Sequence, residues 1–150
     1  MSELNRFPKS RADVVGMLRN SGITPTHQRI KIGEVLFSCK QHLSAEQVLV
    51  AVNQDDGEVS KATVYNTLGV LAQHGLVREV IVDPSKVFYD SNLSKHHHLY
   101  YSDSGELEDL EDESVEISKL PNLPSDLQIE DVDVVIRVHR SESVLSKGSN

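Results

Sequence analysis

The chain has 150 residues, enough for one ordinary domain or two small ones, and its hydrophobic fraction of 38% can supply a core. Its 15 basic and 23 acidic residues give a net charge of −8, which argues against a protein that holds nucleic acid by bulk basicity. No apolar run reaches membrane-spanning length, no signal peptide is evident, and Cys39 has no second cysteine to pair with, so we expect a cytoplasmic protein without a membrane partner.

The charge is distributed unevenly along the chain. Residues 1–89 contain ten basic and nine acidic side chains, whereas residues 90–150 contain five basic and fourteen acidic ones. Such asymmetry indicates two modules with separate roles. We therefore expect a first domain over residues 1–90, a second over residues 91–141 and a disordered tail over residues 142–150.

The sequence pattern of the first module predicts four helices followed by a β-hairpin. Apolar residues at helical spacing predict helices over residues 11–20 and 27–37, a third after the capping-box pair Ser44 and Gln47, and a fourth over residues 61–74 before Gly75. Strands are expected over residues 76–82 and 86–89, around the turn at 83–85. Short helices followed by a two-stranded wing are typical of a winged-helix DNA-binding domain.

The sequence pattern of the second module predicts a small β-sheet. Strands are expected over residues 98–102 and 106–110, a short helix over residues 115–120, and a strand over residues 128–139 with alternating valine and isoleucine. One helix is too little to cover the apolar face of this sheet, so a second copy of the chain is the natural cover. The predicted fold is α+β: an N-terminal winged-helix domain followed by a small α/β dimerisation domain, in a homodimer.

The helix after Ser60 is the candidate DNA-recognition element. Val64, Leu68 and Leu71 face the core, which leaves Tyr65 and Asn66 free to reach base edges or phosphates. An ordinary solvated face explains this periodicity equally well, but the wing and the local excess of basic residues in positions 1–40 favour DNA. The residues expected to contact double-stranded DNA are Arg29, Lys61, Thr63, Tyr65 and Asn66.

Three consecutive histidines, His96, His97 and His98, mark the boundary between the modules. On a strand, His96 and His98 point to one side and His97 to the other, so His96 and His98 can bind the same ion. Asp90 is close enough in the sequence to join them, and His42 and Asp109 are more distant candidate ligands. A nitrogen and oxygen ligand set favours Fe(II), Mn(II) or Zn(II). Exposed imidazoles would also suit haem as axial ligands, so His96, His97 and His98 form a candidate haem site.

Isolated histidines are usually ordinary surface or core residues, an interpretation that suits His27, His74 and His139. Three in a row are better explained by metal binding. The sequence has no HExxH motif, and no nucleophile and base stand out, so we do not expect an enzyme.

Four segments together resemble the ferric uptake regulator superfamily. They are Gly22-Ile-Thr-Pro-Thr-His-Gln-Arg29, His42-Leu-Ser-Ala-Glu46, Lys61-Ala-Thr-Val-Tyr-Asn-Thr-Leu68 and Phe88-Tyr-Asp90 followed by the triple histidine. The iron response regulator branch is most similar, by the Ala-Thr-Val-Tyr-Asn-Thr-Leu run, the triple histidine, and the stretches 117–121 and 132–137.

This resemblance implies a homodimeric repressor-type regulator in which Tyr65 contacts bases. It also implies a hinge metal site, formed by His42, Asp90, His96, His98 and Asp109, and haem binding at His96, His97 and His98. Three departures from the pattern matter. Tyr101 and Ser104 stand where many relatives have a zinc-binding cysteine pair, so we expect no Cys-ligated structural zinc. Lys40 after Cys39 removes a Cys-Pro haem motif. A further metal site is expected to survive only in weakened form, as His97 and Glu116, because Val132 replaces a histidine.

The leading hypothesis is thus a dimeric DNA-binding regulator of iron metabolism that responds to metal or haem. A second hypothesis has the same fold but a different signal: a peroxide sensor, in which Fe(II) at the same residues would generate oxidant locally and oxidise a ligand histidine. A metal- or haem-binding carrier that does not touch DNA is the alternative of another class.

Overall fold

The computed structural model of the chain describes residues 7, 10–55 and 57–141. The expected tail over residues 142–150 lies outside this part. The chain divides into two compact units, with the boundary between Leu93 and Ser94. Within the described part, no helix is long and apolar enough to cross a membrane.

The first unit contains the four predicted helices: α1 (Arg11–Asn20), α2 (His27–Leu36), α3 (Ala45–Val52) and α4 (Lys61–Gln73). Each begins after a serine or threonine whose side-chain oxygen accepts a hydrogen bond from an amide in the first turn; these caps are Ser10, Thr26, Ser44 and Ser60. The predicted capping box at α3 is confirmed, since the Gln47 side chain also accepts the Ser44 amide. Gly75 follows α4 with φ +75°, a conformation that favours glycine.

The helices of this unit bury one continuous apolar core. Leu18, Ile32, Leu36, Val48, Val64, Leu68 and Leu71 are inaccessible to solvent. Gly33 allows α1 and α2 to approach closely, because a Cβ at this position would lie 2.8 Å from Cγ1 of Val14. The predicted core face of α4 is therefore confirmed.

A three-stranded antiparallel sheet completes the first unit. The predicted hairpin is β2 (Arg78–Asp83) and β3 (Lys86–Asp90), and a third strand, β1 (His42–Ser44), pairs with the other side of β3. The sequence did not predict β1, because three residues are too few to show an alternating pattern.

The second unit is a three-stranded sheet in the order β5-β4-β6. Its strands are β4 (His96–Tyr101), β5 (Leu107–Glu111) and β6 (Val135–Val138). β4 pairs antiparallel with β5 and parallel with β6. A 3-10 turn, Asp112–Ser114, follows β5.

Two predictions for this unit are wrong. Residues 115–120 form no helix: they carry no regular secondary structure and are almost entirely exposed, and so short a segment needs tertiary packing to be stable as a helix. The strand expected over residues 128–139 is only Val135–Val138. Its ladder begins there because the Val134 amide donates to the Nδ1 atom of His97 instead of to a strand carbonyl.

Candidate metal centre and nucleic-acid interface

The exposed face of α4 carries the polar side chains predicted to meet DNA. Lys61, Tyr65 and Asn66 are exposed, whereas Val64 and Leu68 on the opposite side are fully buried. A large aromatic ring that is 41% exposed on a helix with a well-packed back is a rigid contact group.

Tyr65 is held by a neighbouring helix. Its hydroxyl donates to Oε1 of Glu46, in the first turn of α3, over 2.6 Å, and the Nζ atom of Lys61 lies 5.8 Å from the ring centre. The hydrogen bond lowers the pKa of Glu46 and raises the pKa of Tyr65. Glu46 lies in one of the segments that carry the family resemblance, and its contact with Tyr65 depends on the packing of α3 beside α4, which the sequence alone does not indicate.

Arg29, Thr63 and Asn66 are brought together around one groove. It lies between the start of α2 and the exposed face of α4, encloses about 380 Å³, and is also lined by Thr26, Ala62 and Thr67. The Arg29 guanidinium donates to the Thr24 carbonyl over 3.1 Å, which fixes its position at the rim. Thr63 serves the helix cap, since its hydroxyl oxygen accepts a hydrogen bond from Ser60 over 2.9 Å.

In the first unit, two predicted metal ligands lie opposite each other on neighbouring strands. His42 of β1 pairs directly with Asp90 of β3. Asp90 is 1% exposed, and its Oδ1 atom accepts the amide of Asn92 over 2.9 Å, which orients the carboxylate. The His42 ring meets the edge of Phe88, with ring centres 6.0 Å apart.

In the second unit, two of the other three predicted ligands, His96 and His98, both approach the third, Asp109. The Nε2 atoms of His96 and His98 lie 3.6 and 3.4 Å from Oδ1 of Asp109, across the β4–β5 ladder. Ligands about 2.0–2.2 Å from a tetrahedral ion are separated from each other by about 3.4 Å, so these spacings suit a metal site. The Nδ1 atom of His96 donates to the Ser94 carbonyl over 2.6 Å, which leaves the Nε2 lone pair for a metal.

His97 points away from this cluster, as the strand alternation predicts. Its Nδ1 atom accepts the Val134 amide over 3.1 Å, and its Nε2 atom therefore carries the proton and donates to Oδ1 of Asp112 over 3.0 Å. The side chain is 1% exposed. His97 thus links β4 to the approach to β6 and to the turn after β5.

The expectation of exposed imidazoles is wrong. His96, His97 and His98 are 5%, 1% and 1% exposed. Both ring nitrogens of His97 already bond to protein groups, which leaves it no lone pair for haem or for a site shared with Glu116. Glu116 lies in the exposed segment after the 3-10 turn.

A polar cluster lies around Tyr101, at one of the two positions where many relatives have a zinc-binding cysteine. Tyr101 donates to Glu108 over 2.8 Å, and the Arg140 guanidinium contacts Asp103 at 3.2 and 3.3 Å and lies 5.3 Å from the Tyr101 ring centre. The Arg140 amide also donates to Asp103, and these bonds lower the pKa of that carboxyl. The cluster joins the β4–β5 turn to the segment after β6.

Comparison with known proteins identifies the family. The profile of the ferric uptake regulator family matches residues 20–138. The chain belongs to that family. The peroxide-responsive repressor PerR of Staphylococcus saprophyticus is 30% identical over 108 residues, which are 72% of this chain and 73% of the relative. PerR of Staphylococcus aureus strain Mu50 is 29% identical over 109 residues, 73% of this chain and 74% of the relative.

Solved structures of ferric uptake regulators share the fold. The manganese-containing regulator of Pseudomonas aeruginosa matches with a TM-score of 0.65 and 27% identity, over 83% of this chain and 96% of that one. The regulator of Vibrio cholerae matches with a TM-score of 0.65 and 23% identity, over 84% and 98% of the two chains. The predicted plan of a winged-helix domain followed by a dimerisation domain is confirmed. The protein is accordingly a metal-responsive transcriptional regulator of the ferric uptake regulator family.

Proposed function

We propose that this ferric uptake regulator is a dimeric, iron-responsive repressor that binds promoter DNA with residues 1–90 and dimerises and senses metal with residues 91–141. One observation supports the metal-sensing part: the Nε2 atoms of His96 and His98 of β4 lie 3.6 and 3.4 Å from the same oxygen, Oδ1 of Asp109 of β5. This ligand set suits Fe(II), Mn(II) and Zn(II). The manganese in the P. aeruginosa relative supports the same chemistry.

The ligands we propose in the second unit are His96, His98 and Asp109. In the first unit they are His42 and Asp90, which face each other across the β1–β3 ladder. That both groups bind the same ion rests on the sequence resemblance. A single ion per chain, lost on replacing either His42 or His98 by Ala, is the expected result of metal titration.

The DNA contacts we propose are Arg29, Lys61, Thr63, Tyr65 and Asn66. Arg29, Thr63 and Asn66 share a groove beside α4, and Lys61 and Tyr65 lie next to it on the same exposed face. Thr63 also supports the helix cap, because its hydroxyl oxygen accepts a hydrogen bond from Ser60. A metal carrier without DNA binding would have no use for this face, so replacing Lys61 and Tyr65 by Ala distinguishes the two functions.

The test is DNA selection followed by titration. The full-length protein, loaded with Mn(II), is used to select duplexes from a randomised pool, and the affinity for the selected duplex is then measured with and without Mn(II). We expect Mn(II) to strengthen binding, because only a ligand that prefers the DNA-binding arrangement can shift the protein toward it. Equal affinity for selected and unrelated duplexes in both states would refute the proposal.

Peroxide sensing is the second candidate, favoured by the similarity to the staphylococcal PerR repressors. In this function, the same ligands would hold Fe(II), which would activate peroxide beside them, so that one peroxide oxygen is added to a ligand histidine and the other leaves as water. Mass spectrometry of the Fe(II)-loaded protein after peroxide treatment should then place the oxygen on His42 or His96. Mn(II)-loaded protein is the matched control, and unmodified histidines in both samples would leave iron supply as the signal.

Haem is the third signal that the iron response branch implies. Of the three candidate ligands, His97 would first have to break its bonds to Val134 and Asp112. A haem titration followed by absorbance, on wild type and on a triple alanine variant at positions 96–98, tests this. An unchanged spectrum in the variant would move the haem site elsewhere.

A further inference from the structure

The bond between Tyr65 and Glu46 determines what the tyrosine can offer to DNA. A carboxylate only accepts hydrogen bonds, so the hydrogen of the Tyr65 hydroxyl must point to Glu46. The short length of 2.6 Å is that of a charge-assisted bond. The oxygen lone pairs that remain on Tyr65 can only accept.

Both partners sit on rigid supports. Glu46 lies in the first turn of α3, where the capping box of Ser44 and Gln47 fixes the backbone. Tyr65 lies in the middle of α4, between the fully buried residues Val64 and Leu68. The ammonium group of Lys61 beside the ring and the charge of Lys86 both favour the ionised form of Glu46. The carboxylate is therefore a built-in acceptor for this hydroxyl.

Resting on the proposed DNA binding through α4, we propose that Glu46 is a positioning residue that makes Tyr65 a hydrogen-bond acceptor toward DNA. In the major groove, adenine N6 and cytosine N4 carry donor amino groups, whereas guanine O6 and N7 and thymine O4 accept. The paired tyrosine thus selects a base with an amino group and gains nothing from a phosphate. Without Glu46, the hydroxyl rotates freely and can donate to acceptors as well.

The proposal is tested on the full-length, Mn(II)-loaded protein by selection from a randomised duplex pool. Wild type, Tyr65→Phe, Glu46→Ala and Glu46→Gln are compared. Tyr65→Phe identifies the base position that depends on the hydroxyl. At that position we expect wild type to prefer an amino base, and Glu46→Ala to reduce this preference by about two- to tenfold, the worth of one hydrogen bond. Glu46→Gln should reduce the preference less than Glu46→Ala, since its amide oxygen can accept the hydroxyl while its amide nitrogen can also donate to it.

A base replacement sharpens the result. If the selected base is adenine, its N6 group is removed by substituting purine; if cytosine, its N4 group is replaced by the carbonyl of uracil, with the opposite base adjusted. The loss on this change and the loss on Tyr65→Phe should not add, because both remove the same bond. Glu79→Ala, which removes an exposed carboxylate on β2, is the control for charge and should keep the wild-type preference.

The possible failures are distinguishable. If wild type selects no duplex, the proposed DNA-binding function fails, and the role of Glu46 fails with it. If wild type selects a duplex but Glu46→Ala shows the same preference at every position, only the role of Glu46 is refuted. An equal loss for all sequences in Glu46→Ala, with unchanged helix content and melting temperature, refutes it too, since this shows a general effect on affinity.

Discussion

His98 and Asp109 lie directly opposite each other on antiparallel strands, with Nε2 of the histidine 3.4 Å from Oδ1 of the carboxylate. His42 and Asp90 have the same cross-strand relationship in the other unit. In both cases a strand ladder, not a flexible loop, sets the spacing of a histidine and an aspartate. Such rigid placement reduces the ordering cost of binding an ion.

Replacing His98 by Ala should weaken Mn(II) binding at least about tenfold, since changes even in the groups that merely support metal ligands cost about 10- to 100-fold. Asp109→Asn should have a similar effect, because the amide loses the negative charge. Isothermal titration of the full-length protein measures both affinities. His74→Ala, which alters an exposed histidine at the end of α4, is the control, and a similar loss in this variant would contradict the assignment.

Replacing His97 by Ala should separate structure from metal binding. The variant leaves the Val134 amide and the Asp112 carboxylate without their partner, which costs about 1–3 kcal/mol in free energy of unfolding. Mn(II) affinity should stay within a few-fold of wild type, since His97 faces away from His96 and His98. Urea unfolding and metal titration check the two quantities. A loss of affinity as large as that of His98→Ala would show that His97 is a ligand.

The Arg140 contacts should be visible in the titration of Asp103. These contacts lower the pKa of Asp103 in the folded state. The ionised carboxyl therefore stabilises the folded state at pH values above the ordinary pKa of aspartate, and this stabilisation is lost as the pH falls through the lowered pKa. Arg140→Ala should raise the pKa of Asp103 toward its ordinary value, as followed by NMR of the carboxyl carbon. An unchanged Asp103 pKa in the variant would show that the guanidinium contacts contribute little beside the backbone bond.

Truncation of Leu68 should destabilise the first unit. This side chain is fully buried under the exposed face of α4, and leucine-to-alanine changes at such sites cost about 2–5 kcal/mol. Gln73→Ala, on the exposed face of the same helix, should change the free energy of unfolding by less than about 0.5 kcal/mol. Urea unfolding monitored by circular dichroism compares the two variants; equal stability would contradict the packing described for α4.

The first unit was largely predictable from sequence, because capped amphipathic helices are local patterns. Ser44, Ser60 and Gly75 marked helix ends, and Val64 and Leu68 marked the buried face. The second unit was less predictable. The alternating valines around residue 134 predict an apolar face but not where the strand pairing begins. That start depends on the hydrogen bond from the Val134 amide to His97, a contact between residues 37 positions apart. The role of Glu46 has the same origin, since it depends on how α3 packs beside α4.

In the proposed function, metal binding and DNA binding are coupled, and the reciprocity of this coupling is the most direct test. If Mn(II) raises the affinity for the selected duplex by some factor, the duplex must raise the affinity for Mn(II) by the same factor. We predict this equality in wild type, with a factor of about 5–150, and no coupling in His98→Ala. Mn(II) titrations of the wild-type protein with and without saturating duplex are the decisive measurement. Identical Mn(II) affinities in the two titrations would show that metal and DNA bind independently and would contradict the proposed metal-responsive function.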